Sequence, residues 1–177
     1  MDELRGLTLT QPYPMLIAVA ATRPDLGKRV ETRGPTFPRH YRGRVAIHAA
    51  QRLGGSMADL YARCRQPRFW QALAWLGYGD RWWQQLDFGM LPRGQIVAVA
   101  RISGAYVFGP DSMTDVDSGT TLPLPGQPER SFGDYTPGRI GLQLADIQRL
   151  RRPVAARGQL GLWRVPADVR EQVEDEL

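Results

Sequence analysis

The sequence is poor in lysine. Lys28 is the single lysine of the chain, and the other 22 basic residues are arginines. Lysine carries a compact charge whose pKa shifts readily with burial or with neighbouring charges, whereas arginine stays protonated. A lone lysine is therefore either an accident of composition or a sign that a ligand or a reaction needs an amine. Lys28 lies in residues 27–33, the densest run of alternating charged and β-branched residues, and it is the first candidate site residue.

Cysteine and histidine are also scarce, and their scarcity excludes several kinds of site. Cys64 is the only cysteine, so the chain forms no internal disulfide and needs no oxidising compartment. His40 and His48 show no paired metal-ligand spacing, so we expect no metal centre. Neither a Walker motif nor a dinucleotide-binding glycine motif occurs. We therefore expect no cofactor and no nucleotide-driven reaction.

Long hydrophobic segments are missing as well. No apolar run approaches the length that crosses a bilayer, and the N-terminus lacks the basic segment and apolar core of a secretory signal. The 177 residues, with 42% hydrophobic and 23% charged content, fit one compact domain of ordinary composition. The expectation is a single cytoplasmic domain without a membrane partner.

Positive charge is what the chain has in excess. The net charge is +5 at pH 7 and the isoelectric point is about 9.9. Such a balance attracts acidic partners by long-range attraction, nucleic acid first. The alternative is a genome-wide drift toward arginine, which raises the isoelectric point without any binding function.

Short strand signals occur on both sides of the middle of the chain. Predicted strands cover residues 7–10, 29–33, 44–50, 95–102, 139–144 and 158–165. Alternation in the second strand places Glu31 and Arg33 on one face and Thr32 on the other, and in the third it places His48 opposite Val45 and Ile47. A buried helix over 15–21 follows the Thr10-Gln11-Pro12 start signal. This pattern predicts the α+β class, with a small mixed β-barrel and helices packed over its ends.

The middle of the chain predicts a helical insertion at about residues 52–90. Ser56 is the expected N-cap of a helix that continues to Cys64, and Pro67 starts a second helix with apolar residues at helical spacing. A short third segment follows over residues 80–89.

Two further segments are read from composition. Residues 108–131 are rich in glycine, proline, aspartate, serine and threonine, which predicts a long surface loop. Residues 167–177 predict an acidic, amphipathic helical tail that faces solvent. Either segment would suit a protein-interaction module, which is a third functional class to consider.

Six short motifs carry a resemblance to a known family. In chain order they are residues 9–14 (LTQPYP), 28–33 (KRVETR), 41–49 (YRGRVAIHA), 92–97 (PRGQIV), 132–135 (FGDY) and 158–163 (GQLGLW). Together they resemble the ASCH domain, the activating-signal-cointegrator homology family, which is similar in fold to the PUA domains that bind RNA. The resemblance spans roughly residues 7–166. It implies that residues 1–177 form one ASCH domain with a PUA-like barrel.

The same resemblance implies a basic cleft beside Lys28 that binds nucleic acid, RNA in particular. Lys28, Glu31 and Arg33 match the family's Lys-x-x-Glu-x-Arg pattern, and His48 matches the end of its Gly-apolar-His strand. The other candidates lie in or beside the flanking motifs. The full set of candidate nucleic-acid-binding residues is Gln11, Lys28, Glu31, Arg33, Arg44, His48, Tyr135 and Trp163.

The chemistry of these side chains suits a nucleic acid, and each also has a purely structural interpretation. Lys28 and Arg33 can neutralise phosphates, and an aromatic ring can stack on an unpaired base. Glu31 can accept a hydrogen bond from a base amino group or can simply hold its two cationic neighbours. His48 and Trp163 are equally compatible with core packing, and the arginines from 39 to 52 with a solvated face.

An enzyme is the alternative function, as a nuclease or a hydrolase of a modified nucleoside. One branch of the family resembles amidohydrolases that deacylate a modified cytidine nucleoside with a Lys-x-x-Thr motif, whose threonine is the nucleophile. Here Glu31 occupies that place and Thr32 points to the opposite strand face, so the threonine chemistry does not transfer. Lys28, Glu31 and His48 are the candidate catalytic residues for acid–base cleavage of a phosphodiester.

Overall fold

The computed structural model describes residues 3–78 and 90–177. A π-helical turn covers Ala74–Tyr78 and a 3-10 helix covers Glu129–Phe132. In chain order the described strands and α-helices are β1 (Arg5–Leu9), α1 (Tyr13–Ala20), β2 (Val30–Arg33), β3 (Gly43–Ala49), α2 (Met57–Cys64), α3 (Pro67–Leu73), β4 (Gln95–Phe108), β5 (Ser112–Asp115), β6 (Thr121–Pro123), β7 (Ile140–Ala155), β8 (Leu162–Arg164) and α4 (Ala167–Asp175).

All eight strands belong to one mixed sheet. Its order is β2-β7-β4-β3-β1-β8, and the β5–β6 hairpin extends the far end of β4. Strands β1 and β3 run parallel, and the other neighbours are antiparallel. The predicted α+β class is therefore confirmed. Within the described part of the chain β2 and β8 do not pair, so the sheet is open at these edges.

The open sheet is strongly curled. Arg33 on β2 donates from Nη2 to the main-chain oxygen of Thr8 on β1 at 2.9 Å, although three strands separate β1 from β2 in the sheet. The curl has a local cause, because β4 shifts register against β7 at three places and each bulge adds twist and bend. Strand β8 pairs with β1 only over Arg5–Leu7. From Thr8 onward, β1 therefore borders a gap that β2 closes from the other side.

Helix α1 fills the inside of the curl. Residues 14–20 are all buried. This burial is expected, because a helix that is apolar on every side is stable only when it is enclosed. Tyr13 meets Phe69 of α3 edge to face at 6.3 Å between ring centroids, which ties the helical insertion to the same core. No helix within residues 3–78 and 90–177 has the length and apolar character needed to cross a membrane.

The helical insertion follows its sequence signals where it is described. Ser56 caps α2 in a capping box with Asp59, and Pro67 is the first residue of α3. The predicted third segment over residues 80–89 lies outside the described residues.

Two sequence predictions were wrong in detail. Residues 108–131 are not one long loop, because they contain the β5–β6 hairpin, and their glycine, aspartate and serine residues mark its turn around Gly119. The C-terminal tail is helical, yet it does not simply face solvent. Val173 is fully buried, and Glu174 and Glu176 pair with Arg44 and Arg152 of the sheet.

Candidate functional site

The gap between β1 and β2 is an open pocket of about 280 Å³. Its walls come from the end of β1, from β2, from Tyr13 of α1 and from the segment 132–134, with Lys28 among the lining residues. The pocket lies at strand edges rather than on one face of the sheet. For this reason Glu31 and Thr32 both line it, although successive residues of a strand point to opposite faces.

The Lys28 ammonium is held entirely by the protein. The residue has no exposed surface, and Nζ donates to the main-chain oxygens of Val30 at 2.5 Å and Phe132 at 2.8 Å. Glu31 Oε2 lies 3.4 Å from Nζ and forms an ion pair with it, so the ammonium has two main-chain acceptors and one carboxylate as its partners. Lys28 therefore fixes the wall at Phe132 and the carboxylate of Glu31, and it offers no exposed charge to a phosphate.

Glu31 and Arg33 continue this array toward solvent. The Glu31 side chain is only 9% exposed, and its Oε1 lies 3.1 Å from Arg33 Nε in an ion pair that lacks hydrogen-bond alignment. Arg33 is 23% exposed and is fixed by its bond to Thr8 and by the ring of Phe37, 5.2 Å from the guanidinium carbon. The array carries one net positive charge, and Arg33 is its accessible end.

A second carboxylate, Glu129, binds the main chain at the start of β2, and the sequence analysis did not predict it. Its two oxygens accept hydrogen bonds from the main-chain N–H groups of Arg29 and Val30 at 2.7 and 3.0 Å, just where β2 begins. Burial raises the pKa of Glu129, and the charge of Lys28 and the two hydrogen bonds oppose that rise. The sequence gives no signal for this role, because Glu129 lies in a segment read as surface loop.

Asp134 closes the rim of the pocket. Its main-chain N–H donates to Thr32 Oγ1 at 3.0 Å, so that hydroxyl is already engaged. The Thr136 hydroxyl holds the pKa of Asp134 below its ordinary value, with a smaller contribution from Arg139. Asp134 thus adds a negative charge to the same pocket lining that contains Arg33.

His48 and Trp163 lie together outside this pocket. His48 is 1% exposed, its Nε2 donates to the main-chain oxygen of Ala156 at 3.0 Å, and burial lowers its pKa. Its ring meets Trp163 edge to face at 5.8 Å, and Trp163 Nε1 donates to Thr8 Oγ1 at 3.0 Å. Thr8 contacts both groups of residues, since its main-chain oxygen accepts from Arg33 and its hydroxyl accepts from Trp163.

The remaining predicted residues are dispersed. Gln11 is buried and donates to the main-chain oxygen of Pro92 at 2.6 Å, and it lines a different cavity at the start of α2. Arg44 forms a bidentate ion pair with Glu174 of α4, with one hydrogen bond to each carboxylate oxygen. Tyr135 packs on Phe108 with ring centroids 4.7 Å apart, and burial raises the pKa of its hydroxyl. The structure thus assembles Lys28, Glu31 and Arg33, and it does not bring the other five candidates into their pocket.

Two rings beside the pocket carry a guanidinium on one face. Arg33 lies over Phe37, and Arg63 of α2 lies over Tyr13 at 5.5 Å from the ring centroid. Paired cation and aromatic surfaces of this kind suit the flat, polar faces of unstacked bases. Sequence reasoning missed Tyr13, Phe37 and Arg63, because their approach depends on how α1 and α2 pack.

Acidic and thiol groups do not gather into a metal centre in the part of the chain that is described, where no three His, Cys, Asp or Glu side chains are grouped to hold an ion. Comparison with protein-family models finds no match, and comparison with curated proteins finds none either.

Proposed function

We propose that this chain binds single-stranded nucleic acid, RNA first, and that the pocket between β1 and β2 receives one unstacked nucleotide. The observation that carries the proposal is Arg33, a fixed and partly exposed guanidinium at the mouth of a polar pocket of about 280 Å³. Ligand pockets usually measure roughly 300–1,000 Å³, so this one lies at the small end of that range and suits a single base, with the sugar and phosphate of the nucleotide at its open mouth. RNA-binding proteins commonly take up single bases in such pockets.

In this proposal Arg33, Glu31 and Lys28 have three different roles. Arg33 contacts a phosphate or stacks on a base, because a planar guanidinium does both. Glu31 accepts a hydrogen bond from a base amino group. Lys28 is a positioning residue, which orients Glu31 and holds the Phe132 wall through its two main-chain hydrogen bonds.

The proposal includes the family resemblance. The curled sheet supports a PUA-like barrel of the ASCH type, in which the Arg33–Thr8 hydrogen bond spans the place where strands do not pair. The excess of arginine supports the same partner, since a net charge of +5 attracts a polyanion. A cytoplasmic location is part of the proposal.

Fluorescence anisotropy with a labelled single-stranded RNA of eight nucleotides tests the function. The variants are Arg33→Gln and Glu31→Gln, with Arg101→Gln as the matched control, because Arg101 also loses an ion pair but does not line the pocket. A charge-assisted hydrogen bond contributes about 1.5–3 kcal/mol, so Arg33→Gln should weaken binding roughly 10- to 100-fold. Lack of saturable binding at low salt, or equal affinities for Arg33→Gln and Arg101→Gln, would refute the proposal.

The hydrolase alternative has less support. Acid–base cleavage by Lys28, Glu31 and His48 needs these groups at one substrate, yet His48 does not line their pocket. The hydroxyls of Thr8 and Thr32, which do line it, accept hydrogen bonds from Trp163 and Asp134, and among the described residues no carboxylate or imidazole accepts a hydrogen bond from either hydroxyl, as an activated nucleophile requires. We therefore expect the RNA to stay intact, and we expect no deacylation of a modified cytidine, which denaturing gels and product chromatography of the same mixtures measure.

A further inference from the structure

A second and larger groove opens beside the first pocket, with a volume of about 820 Å³. It lies where β3 and β7 end, and α4 closes one side. Strands β1 and β3 are parallel with Thr8 opposite His48, so the two strands end at the same edge of the sheet. Thr8 lines both cavities, which makes them neighbours across the width of one strand.

The lining of the groove combines an apolar floor with free positive charge. Ala50, Ala155 and Val169 supply apolar surface, while Arg52 and Arg157 lie exposed at the rim. Neither guanidinium makes an ion pair or a hydrogen bond with the residues that the structure describes, whereas most other arginines on the sheet are paired with a carboxylate. The floor suits the face of a base, and the rim suits a phosphate.

His48 adds a buried acceptor to this groove. Because its Nε2 donates to the Ala156 oxygen, Nδ1 of the neutral ring carries a lone pair, and that atom has no partner among the described residues. A side chain at Gly158 would place its Cβ 2.5 Å from Nδ1 and 2.8 Å from Thr8 Oγ1. Nδ1 itself has no exposed surface, because the main chain of Gly158 lies between it and the groove. A hydrogen-bond donor of the ligand, such as a ribose hydroxyl or a base amino group, therefore reaches this acceptor only when the Gly158 main chain moves aside.

We infer that this groove is a second nucleotide subsite, which binds the RNA residue adjacent to the one in the pocket between β1 and β2. Arg52 and Arg157 contact the phosphate, and a hydroxyl or amino group of the nucleotide faces His48. A nucleotide is the ligand class that joins an anion, a flat ring and hydrogen-bond donors within one unit. The inference rests on the proposed function, because it takes the same strand to occupy both cavities.

The test uses the full chain and the labelled eight-nucleotide RNA. Arg52→Gln and Arg157→Gln each remove one unpaired guanidinium, and Arg149→Gln is the matched control, because Arg149 is also exposed, makes no ion pair with a described residue and does not line the groove. Each groove variant should bind three- to tenfold more weakly than the control. Each should also lower the slope of log affinity against log salt by about 0.7, the value for one phosphate contact on a single strand.

The two histidines provide an independent readout. His40 and His48 give only two Cε1–H signals in a carbon–proton NMR spectrum, and the same spectrum shows whether each variant is folded. RNA at a concentration near the wild-type Kd should shift the His48 signal in the wild-type chain and should shift it less in Arg157→Gln. The exposed His40 serves as the internal reference.

The outcomes separate the two proposals. In one outcome RNA binding depends on Arg33, Arg52→Gln and Arg157→Gln bind like the control, and the His48 signal does not move. This outcome would refute the second subsite and leave the proposed function of the first pocket standing. Binding that depends on Arg52 and Arg157 but not on Arg33 would overturn the pocket as a nucleotide site, and with it the inference that the groove binds the adjacent residue of the same strand. A chain that binds no RNA overturns both.

Discussion

Replacement of Lys28 by methionine tests what the single lysine does. Methionine keeps most of the volume and the flexibility of the lysine stem, so the cavity term is small. The change removes the donor to the main-chain oxygens of Val30 and Phe132 and one of the two cations beside Glu31. A buried acceptor left unpaired costs about 1–3 kcal/mol, and breaking a buried ion pair costs about 3–5 kcal/mol. These costs overlap, so we expect Lys28→Met to lower the unfolding free energy by about 3–5 kcal/mol.

Equilibrium unfolding in urea, followed by tryptophan fluorescence, measures this loss. Lys28→Arg is the control for charge, and we expect a smaller loss of about 1–3 kcal/mol, because the fork is too large for a fully enclosed site. A double-mutant cycle with Glu31→Gln isolates the ion pair, and the double variant should be more stable than the sum of the single losses predicts. A loss below about 1 kcal/mol for Lys28→Met would show that neither the buried pair nor the two main-chain bonds stabilise the fold, and it would refute this reasoning.

Four further predictions concern groups that the structure buries wholly or in part. Lys28 has no exposed surface, so brief acetylation of the native protein should modify only the N-terminal amine, with or without RNA, and mass spectrometry that finds acetylated Lys28 would contradict this burial. Glu129→Gln should lower the melting temperature through a loss of about 1–3 kcal/mol, because an amide cannot accept from both Arg29 and Val30. Burial raises the pKa of Glu129, so the native state keeps this proton to higher pH than the unfolded chain. The Glu129 contribution to stability should therefore fall as pH rises above the ordinary pKa of a glutamate and through the raised native value, measured as the wild-type minus Glu129→Gln difference in urea unfolding. Burial also raises the pKa of the Cys64 thiol to about 12, so a disulfide reagent at neutral pH should react with it only as fast as the chain unfolds.

The local pattern of the site was accessible from the sequence, and its assembly was not. Spacing in the second strand correctly placed Glu31 and Arg33 together, and alternation in the third correctly separated His48 from the core positions Val45 and Ile47. The approach of Arg33 to Thr8 depends on the curl of the sheet, which follows from register shifts in β4. Those shifts are set by packing over long sequence separations, and a local pattern does not contain them.

The choice of side chains for binding failed for a related reason. A polar residue on a strand can face a pocket, a helix or the main chain of a neighbour, and sequence alone does not distinguish these partners. Arg44 meets Glu174 across 130 positions, and Trp163 donates to Thr8 across 155. The predicted strand was shorter than β7, because the second half of β7 contains the arginines at 149, 151 and 152 and shows no clear alternation of apolar and polar residues.

The missing strand pairing between β1 and β2 has a consequence for how this fold can change over time. Side chains and one loop line that gap, and no ladder crosses it. Position 33, which lies in this gap and is partly exposed, can therefore be exchanged without costing the sheet a backbone hydrogen bond between these two strands, whereas position 31 is held by its pair with the buried Lys28. A scaffold built in this way separates its foldability from its ligand preference. The same sheet could then serve different bases, or different chemistry, after only a few substitutions.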